Sequence, residues 1–568
     1  MPGVPALKRV VALSKGVGYP PDTIFVSKTA TNGFAVGSDS NTVAQAKSRQ
    51  TPWLTVSKAV ASAPVGSLVV INDGSYTGLE LGASSYVLFT SAQTLSFKAH
   101  RAGQVTFLGS VATAIMRINS SAASSVSTFT GIIFDAAATS DYAILDNTTG
   151  GVVHTLNFVN CSFLNTNLHG LTGSATKPII NLTDCTFNSV TRGYMSFTAF
   201  ASGAQVSILR GSGTITGTNN ASPCINLKAT ASGSAVSITG FTLSVTLASG
   251  LTSTGAHDGI VLTNISTVSV TGNTVSLLGH PGSRSGSCVT VTADAAVDVT
   301  APEISNNTLY NETTGGYGVI AGADGSTAGD AHVLNPVVND NTITAVPANQ
   351  VTPVHGIIIG FNIGGTALRN TIVGCGLALI QKKNTVTGAL FADNTISSPY
   401  SIGMYAKGSV GTRFVHNSIY VTDTAHASDA VTVMQALDND DGTHATGIEF
   451  TDNAISIAGN VLTKFVNVQA SCTATFANNL YYSAFSLPAN PFTYQGTSYA
   501  SVAAWAAAQE ATAVSGDPKF VDAANGNFHL LAGSAAIGAG VAVVDVPTDK
   551  GGTAFASPPS IGAYEYTD

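Results

Sequence analysis

Charge is what this sequence has least of. Its 568 residues carry 23 Lys and Arg and 31 Asp and Glu, so 10% are charged, against roughly a quarter in an ordinary soluble domain. The net charge is −8 and no Lys/Arg-rich run occurs, which excludes a nucleic-acid binder of the basic-patch kind. Long apolar runs are missing as well. Stretches such as Gly356–Phe361 fall far short of the roughly 18 residues a membrane-spanning helix needs. The six cysteines (Cys161, Cys185, Cys224, Cys288, Cys375, Cys472) form no CxxC pair. That excludes a disulfide scaffold and a zinc finger, and leaves buried free thiols as the expectation. A secretion signal is not in evidence either: Lys8 and Arg9 precede only Val10–Leu13 before Ser14 and Lys15, too short for an apolar signal core. The expectation is a trimmed precursor or another exit, such as lysis. Hydrophobic residues stand at an ordinary 44%, so intrinsic disorder is excluded too.

What replaces charge is Gly, Ser, Thr, Asn and Ala, arranged as a repeat. Gly272-Asn273-Thr274-Val275 recurs as Asn306-Asn307-Thr308-Leu309, Asp340-Asn341-Thr342-Ile343 and Arg369-Asn370-Thr371-Ile372. It continues as Asp393-Asn394-Thr395-Ile396, His416-Asn417-Ser418-Ile419, Asp452-Asn453-Ala454-Ile455 and Asn478-Asn479-Leu480. Upstream, Ile132, Cys161, Cys185, Gly213 and Phe241 fit the same slot, for a mean period of about 29 residues. Each unit holds short Val/Ile/Phe/Thr-rich strands and no helical periodicity. One such unit cannot bury its own apolar face, whereas a stack can. Asn tolerates the left-handed backbone of a sharp bend. Asn273, Asn307, Asn341, Asn370, Asn394, Asn417, Asn453 and Asn479 are therefore expected to form a structural ladder. Ladder asparagines belong inside, so their Asn-X-Ser/Thr triplets do not read as glycosylation sites.

Both ends carry recognisable strings. At the N-terminal end stand Asp22–Ser27, Thr51–Val56 with the helix-like Ser57–Ala63, Gly66–Ile71 and Asp73–Gly78. At the C-terminal end stand Asp517–Asp522, Asn527–Leu530, Gly533–Gly540 and Ile561–Tyr566. With the repeats, these resemble the right-handed parallel β-helix superfamily of pectate-lyase-like proteins. The resemblance implies an all-β fold, a right-handed parallel β-helix solenoid of about 13 or more coils with an N-terminal helical cap and a C-terminal cap. The expected organisation is an N-terminal arm (1–22), cap and first coil (23–78), β-helix (79–484) and C-terminal cap (485–568).

The resemblance further implies that substrate lies along one sheet and its flanking turns. The strand after each long turn is placed there: Gly259–Leu262, Gly356–Ile359, Gly376–Leu379, Gly403–Ala406 and Ala430–Val433. Before these strands come His257, Asp258, His355, Cys375, Asp423, His426 and Asp429. After them come Lys382, Lys383, Lys407, Asp438, Asp440, Asp441 and His444. Lys383 and Lys407 are 24 residues apart, about one coil, and are expected to stack.

Two chemistries fit residues 375–444. In β-elimination of uronates, Lys407 or Lys383 would be the base, with Ca²⁺ on Asp438, Asp440 and Asp441 neutralising the substrate carboxylate. In hydrolysis, Asp429 and Asp440 would be the acid–base pair, about 5 Å apart for retention or about 6.5–9.5 Å for inversion. Tyr405 would stack on a sugar ring, flanked by His426 and His444. Against both stands the plain alternative that these charges solvate turns, since Asp438–Gly442 is a good turn sequence by itself. His257, His355 and His416 read as hydrogen-bonded turn or core residues.

The functional expectation is a virion-associated structural protein, like a bacteriophage tail spike or fibre. Its β-helix would bind host polysaccharide, with optional cleavage, and its arm would plug into other virion proteins at the virion surface. Such a solenoid can pair along its side as a homotrimer. The alternatives are a secreted, extracellular polysaccharide lyase or glycoside hydrolase, and a non-catalytic adhesin.

Overall fold

A computed structural model describes residues 18–567 except 83–85, 90–93, 112, 120–123, 149–151, 176, 189–192, 217–222, 247–257, 280–285, 295–296, 314, 323–331, 346–353, 384–386, 398–400 and 423–430. Among the described residues no helix is long and apolar enough to cross a membrane.

The repeat becomes a coil of three short strands. One coil runs Ile260–Thr263, Thr267–Thr271 and Thr274–Leu278, and the next begins at Val289–Thr292. Each strand pairs in parallel with its counterpart one coil on: Ile260 with Val289, Val270 with Ile304, Val275 with Leu309. The first strands of all coils form a 16-stranded sheet. The second and third strands join in a 30-stranded sheet bent along the asparagines. The 16-stranded sheet runs parallel throughout until its last pair, Phe492–Tyr494 against Thr497–Tyr499. Alternate residues of every strand fill one continuous core, as the two-residue period of a strand requires. The architecture is an all-β parallel β-helix, as the resemblance implies.

The bend explains the Asn motif physically. Every residue preceding a ladder asparagine has positive φ, from Gly272 (66°) and Asn306 (58°) through Arg369 (56°) and His416 (51°) to Asn478 (53°). The asparagine then turns inward. Asn273 Nδ2 donates to Asn307 Oδ1 (3.0 Å), and the same bond links Asn307–Asn341, Asn341–Asn370, Asn370–Asn394, Asn394–Asn417, Asn417–Asn453 and Asn453–Asn479. Asn479 has no successor. Glu510 takes its place, accepting from Asn479 N and Nδ2, Tyr481 Oη and Trp505 Nε1 at 2.7–2.9 Å.

Upstream of Asn273 the slot is apolar, and one assignment needs correction. Register places Gly211, not Gly213, between Cys185 and Phe241. A Cβ on Gly211 would sit 2.2 Å from Cys185 O, while the space beside Gly213 is filled by the Tyr194 ring. Stacked Phe97–Phe129–Phe158 and Phe134–Phe163–Phe187 columns pack this part of the core. All six cysteines are free and buried.

At the N-terminal end, Ile24–Val26 starts the 30-stranded sheet against Leu68–Ile71. Helix Val56–Ser62, capped by Thr55, covers the open core with Val56, Ala59 and Val60. The expected arm boundary at residue 22 falls too late. Tyr19 already packs on Phe25 (5.6 Å), donates to or accepts from His100 Nδ1 (2.9 Å) and lies under the Arg49 guanidinium, and Asp22 pairs with Lys47.

The C-terminal region divides in two. Phe492–Tyr494 still belongs to the stack, and Trp505, on helix Val502–Ala508, closes the core by stacking on Phe492 (5.1 Å). The chain from 516 onward then runs back as a strap over the bend and the second and third strands that flank it in the last coils. Leu530, Ala536 and Ile561 pack on Ala454 and Leu480; Val546 and Phe555 pack on Ala392 and Val415. Val541 N donates to Asp452, Ala563 N to Ser418 Oγ, and the Phe555 ring stacks on His416 (4.2 Å). The strap covers the 30-stranded sheet, so it leaves the opposite, 16-stranded face clear.

Candidate functional site

Strands Leu377–Lys382, Ile402–Lys407 and Val431–Leu437 of the 16-stranded sheet carry the candidate site. Leu379, Met404 and Met434 point into the core, so alternation turns Ile380, Tyr405 and Gln435 outward in one row, followed by Asn467. The next outward row is Gly360, Lys382, Lys407 and Leu437. Lys382 thus stands in register with Lys407. Lys383, expected there, is displaced by one residue: its φ of 46° turns it off the sheet into the flanking wall, where its ammonium lies over the Phe361 ring at 5.0 Å.

The turn after Val431–Leu437 supplies the carboxylates. Gly442 N donates to Asn439 O and Asn439 N to Thr443 O, which folds residues 438–443 back beside the lysines. Lys407 Nζ reaches Asp440 Oδ1 at 2.9 Å and Lys383 Nζ reaches Asp441 Oδ2 at 2.8 Å. Asp441 also accepts from Thr443 N and Oγ1. Asp438 accepts from Ser471 Oγ and Cys472 Sγ and pairs with His444 Nδ1 at 2.7 Å.

These partners set the protonation states. The Lys407 ammonium holds the Asp440 carboxyl below the usual carboxylate range, and Lys383 with Thr443 does so for Asp441. The Ser471 and His444 bonds lower Asp438. Burial, with Asp440 nearby, pushes the Tyr405 hydroxyl up to about 12, so it keeps its proton.

Two expectations change accordingly, and a third falls outside the described residues. Asp438, Asp440 and Asp441 do not converge as a cation site, because each is drawn to a different partner. Among the described residues no group of three His, Cys, Asp or Glu side chains is placed to hold a metal. The stacking of Lys383 on Lys407 is replaced by that of Lys382. Asp429 and His426, with Asp423 and His257, lie outside the described residues. Elsewhere, Asp258 accepts from Ser287 N (2.7 Å) and burial raises its pKa. His355 accepts from or donates to its surroundings at the start of its strand, receiving Leu377 N at 3.2 Å. His416 is a buried residue under the strap. Lys382 and Phe361 are the site residues that spacing undervalued; the signal was in the strand alternation Leu379–Ile380–Gln381–Lys382.

No protein-family model and no curated protein matches the chain. Solved structures similar to it include a complex of XylC with xylose (9% identity, TM-score 0.30, 96% of this chain and 98% of that one). Others are bacteriophage CBA120 tailspike protein 3 (13%, 0.33, 74% of this chain and 57% of that one) and pectate lyase Pel9A (12%, 0.20, 96% and 97%). The architecture rests on the chain's own strand pairing: it is a parallel β-helix, three strands to a coil with an asparagine bend between the second and third.

Proposed function

We propose that the protein binds a polysaccharide laid lengthwise along the 16-stranded sheet, across the coils that carry Tyr405 and the lysine wall. The observation that carries this reading is the outward row Tyr405–Gln435–Asn467, an aromatic-to-amide strip that continues from the buried Ile380 and lies beside Lys382 and Lys407. A half-buried tyrosine that keeps its proton offers a flat ring for stacking and a hydroxyl for hydrogen bonding. The setting we propose is the surface of a virion, where a rigid solenoid presents this face to host glycan, as a tail spike does.

Cleavage is the second reading, and among the described carboxyls of the site none is held protonated as the acid of a hydrolysis would be. Hydrolysis needs a carboxylic acid that still carries its proton, whereas Asp438, Asp440 and Asp441 are all held ionised. Elimination would use Lys407, which shares a strand face with Tyr405, as base only after it gives up its proton and its pairing with Asp440. Retention of the protein on a panel of immobilised polysaccharides tests binding. Tyr405→Ala should weaken it about three- to tenfold, the range of an aromatic contact. Retention on no polysaccharide, or a Tyr405→Ala protein that binds unchanged, overturns the reading. Incubation with uronate polymers, followed by ultraviolet absorbance for the unsaturated product, tests elimination.

A further inference from the structure

The outward face of the second strands is covered by the chain itself at both ends and left open between. One row of side chains runs along it in register. At the start of the row, Val70 packs with Phe25, Phe34 and Tyr19. Near its end, Ala392 and Val415 lie under Val546 and Phe555 of the strap. Between these covers the row runs Thr130, Val159, Thr183, Leu209, Thr239 and Thr271, each half-buried or exposed. Val126 and Leu209 on this stretch are both 38% exposed.

The open stretch suits contact with a copy of itself. Its six strands, Ser125–Thr130, His154–Val159, 178–183, 205–209, Ala235–Thr239 and Thr267–Thr271, pair without a shift of register. They turn no Lys, Arg, Asp or Glu outward. That matters because a self-contact sets like chemistry against like, and charges there would repel. Polar groups on the face already satisfy one another in part. Asn181 Nδ2 donates to Asn157 Oδ1 (2.8 Å) and Asn157 Nδ2 to Thr128 Oγ1 (3.2 Å), while the Thr239 and Thr271 hydroxyls lie 3.2 Å apart. Covering them therefore costs less than burying lone amides. A charge stands at each end: Lys98, in register with Thr130, and Glu303, in register with Ser269. Neither is in an ion pair among the described residues.

We infer that two copies of the chain join face to face through this stretch with their solenoids antiparallel, about a twofold axis lying along the strands between Asn181 and Ser207. Such an axis keeps each residue's place along its strand and reverses the order of the coils. Lys98 of one copy then reaches Glu303 of the partner subunit, and the reverse contact repeats it, so two opposite-charge pairs close the ends. Leu209 meets the partner's Thr183 beside the axis, and Val126 meets the partner's Thr267. A parallel arrangement would instead bring Lys98 level with Lys98. From Lys98 to Glu303 is seven strand spacings, about 34 Å, and a five-residue strand is about 17 Å long. The two copies together would cover about 1,100 Å², the low end for a specific interface, so the dimer should dissociate on dilution. The wall that carries Tyr405 takes no part in this contact.

Sedimentation equilibrium of the whole protein over a dilution series tests this. The mass should approach twice the 57.4 kDa of one chain at high concentration, and added salt should shift it towards the monomer by screening the end pairs. Lys98→Glu and Glu303→Lys, both surface changes, should each weaken the dimer about tenfold, because each turns two exposed attractive pairs into repulsive ones. The double variant should return to within about threefold of the unaltered protein. Leu209→Asp, beside the axis, should leave a monomer with unchanged far-ultraviolet circular dichroism. A monomer at every concentration, a trimer, a dimer indifferent to Lys98→Glu, or a double variant no better than the single ones overturns the inference.

Discussion

Asn394 lies mid-ladder, and replacing it with alanine measures what the column is worth. Its side chain makes four hydrogen bonds. Nδ2 donates to Ala367 O and Asn417 Oδ1, both at 2.9 Å, and Oδ1 accepts from Asn370 N and Nδ2 at 2.9 and 3.0 Å. The residue is fully buried, so water cannot substitute. Asn417 Oδ1 keeps the Asn394 backbone N–H and Asn370 Nδ2 keeps Val338 O. The backbone N–H of Asn370 keeps nothing in the ladder. One buried donor left unpaired costs about 1–3 kcal/mol and the other lost bonds about 1 kcal/mol each. Asn394→Ala should therefore destabilise by about 4–6 kcal/mol, read as a fall in the guanidinium midpoint by far-ultraviolet circular dichroism. Asn394→Asp should be as damaging at neutral pH, because it sets a carboxylate against two acceptors. Its folded-state pKa would be raised, so the lost stability should return in part as pH falls. A cost below about 1 kcal/mol for Asn394→Ala, or a pH-independent Asn394→Asp, would refute the ladder as a source of stability.

Two further outcomes follow from the bends and the strap. Gly211→Ala should cost about 2–4 kcal/mol, since φ is +108° and the new Cβ meets Cys185 O. Gly272→Asn at a φ of +66° with open space should stay within about 0.5 kcal/mol, and equal costs by thermal melting would reject the steric argument. Strap attachment should be weakest near pH 8. Burial raises Asp393 and Asp452 to about 8, so closing the strap retains protons and weakens as pH rises from the normal carboxylate range to 8. His416, lowered to about 3, opposes this below about 6.5, and Lys550, lowered to about 7, reverses it between 8 and about 10.5. Proteolysis or hydrogen exchange of 540–563 should be slower at pH 6 than at pH 8, and the difference should shrink in an Asp393→Asn, Asp452→Asn protein.

The fold was legible because its signal repeats. Every Asn-Thr-Ile string sits at the same bend, and one good assignment checks the next. The register upstream was less legible: Gly213 looked equivalent to Cys185 by spacing, whereas coil length varies at the turns and only the pairing of Cys185 with Gly211 shows which glycine lies at the bend. The same variation misplaced Lys383, one residue from the in-register Lys382. The strap could not be read from composition at all. Phe555 and Val546 look like ordinary cap residues until they are seen covering Ala392, Val415 and His416, whose own coils look like any other in sequence.

Stacking also accounts for the scarcity of charge. In a solenoid a side chain has the same position above and below it about 4.8 Å away, so an isolated charge on the wall has no lateral freedom to avoid its neighbours. Charges are admitted where successive coils alternate in sign. Of the residues preceding the ladder asparagines, Arg369 grips Asp340 with two hydrogen bonds, whereas Asp393, His416 and Asp452 are buried and held neutral. Asp184 and Arg210 repeat the arrangement in the same bend column, several coils earlier. Lys382 over Lys407 is the one in-register pair of like charges among the described strands, and it is the pair beside Tyr405. A local rule kept elsewhere and broken at one place marks where a sequence has been shaped by something other than folding. On that ground the wall carrying Lys382 and Lys407 is where the proposed ligand site is best tested by substitution.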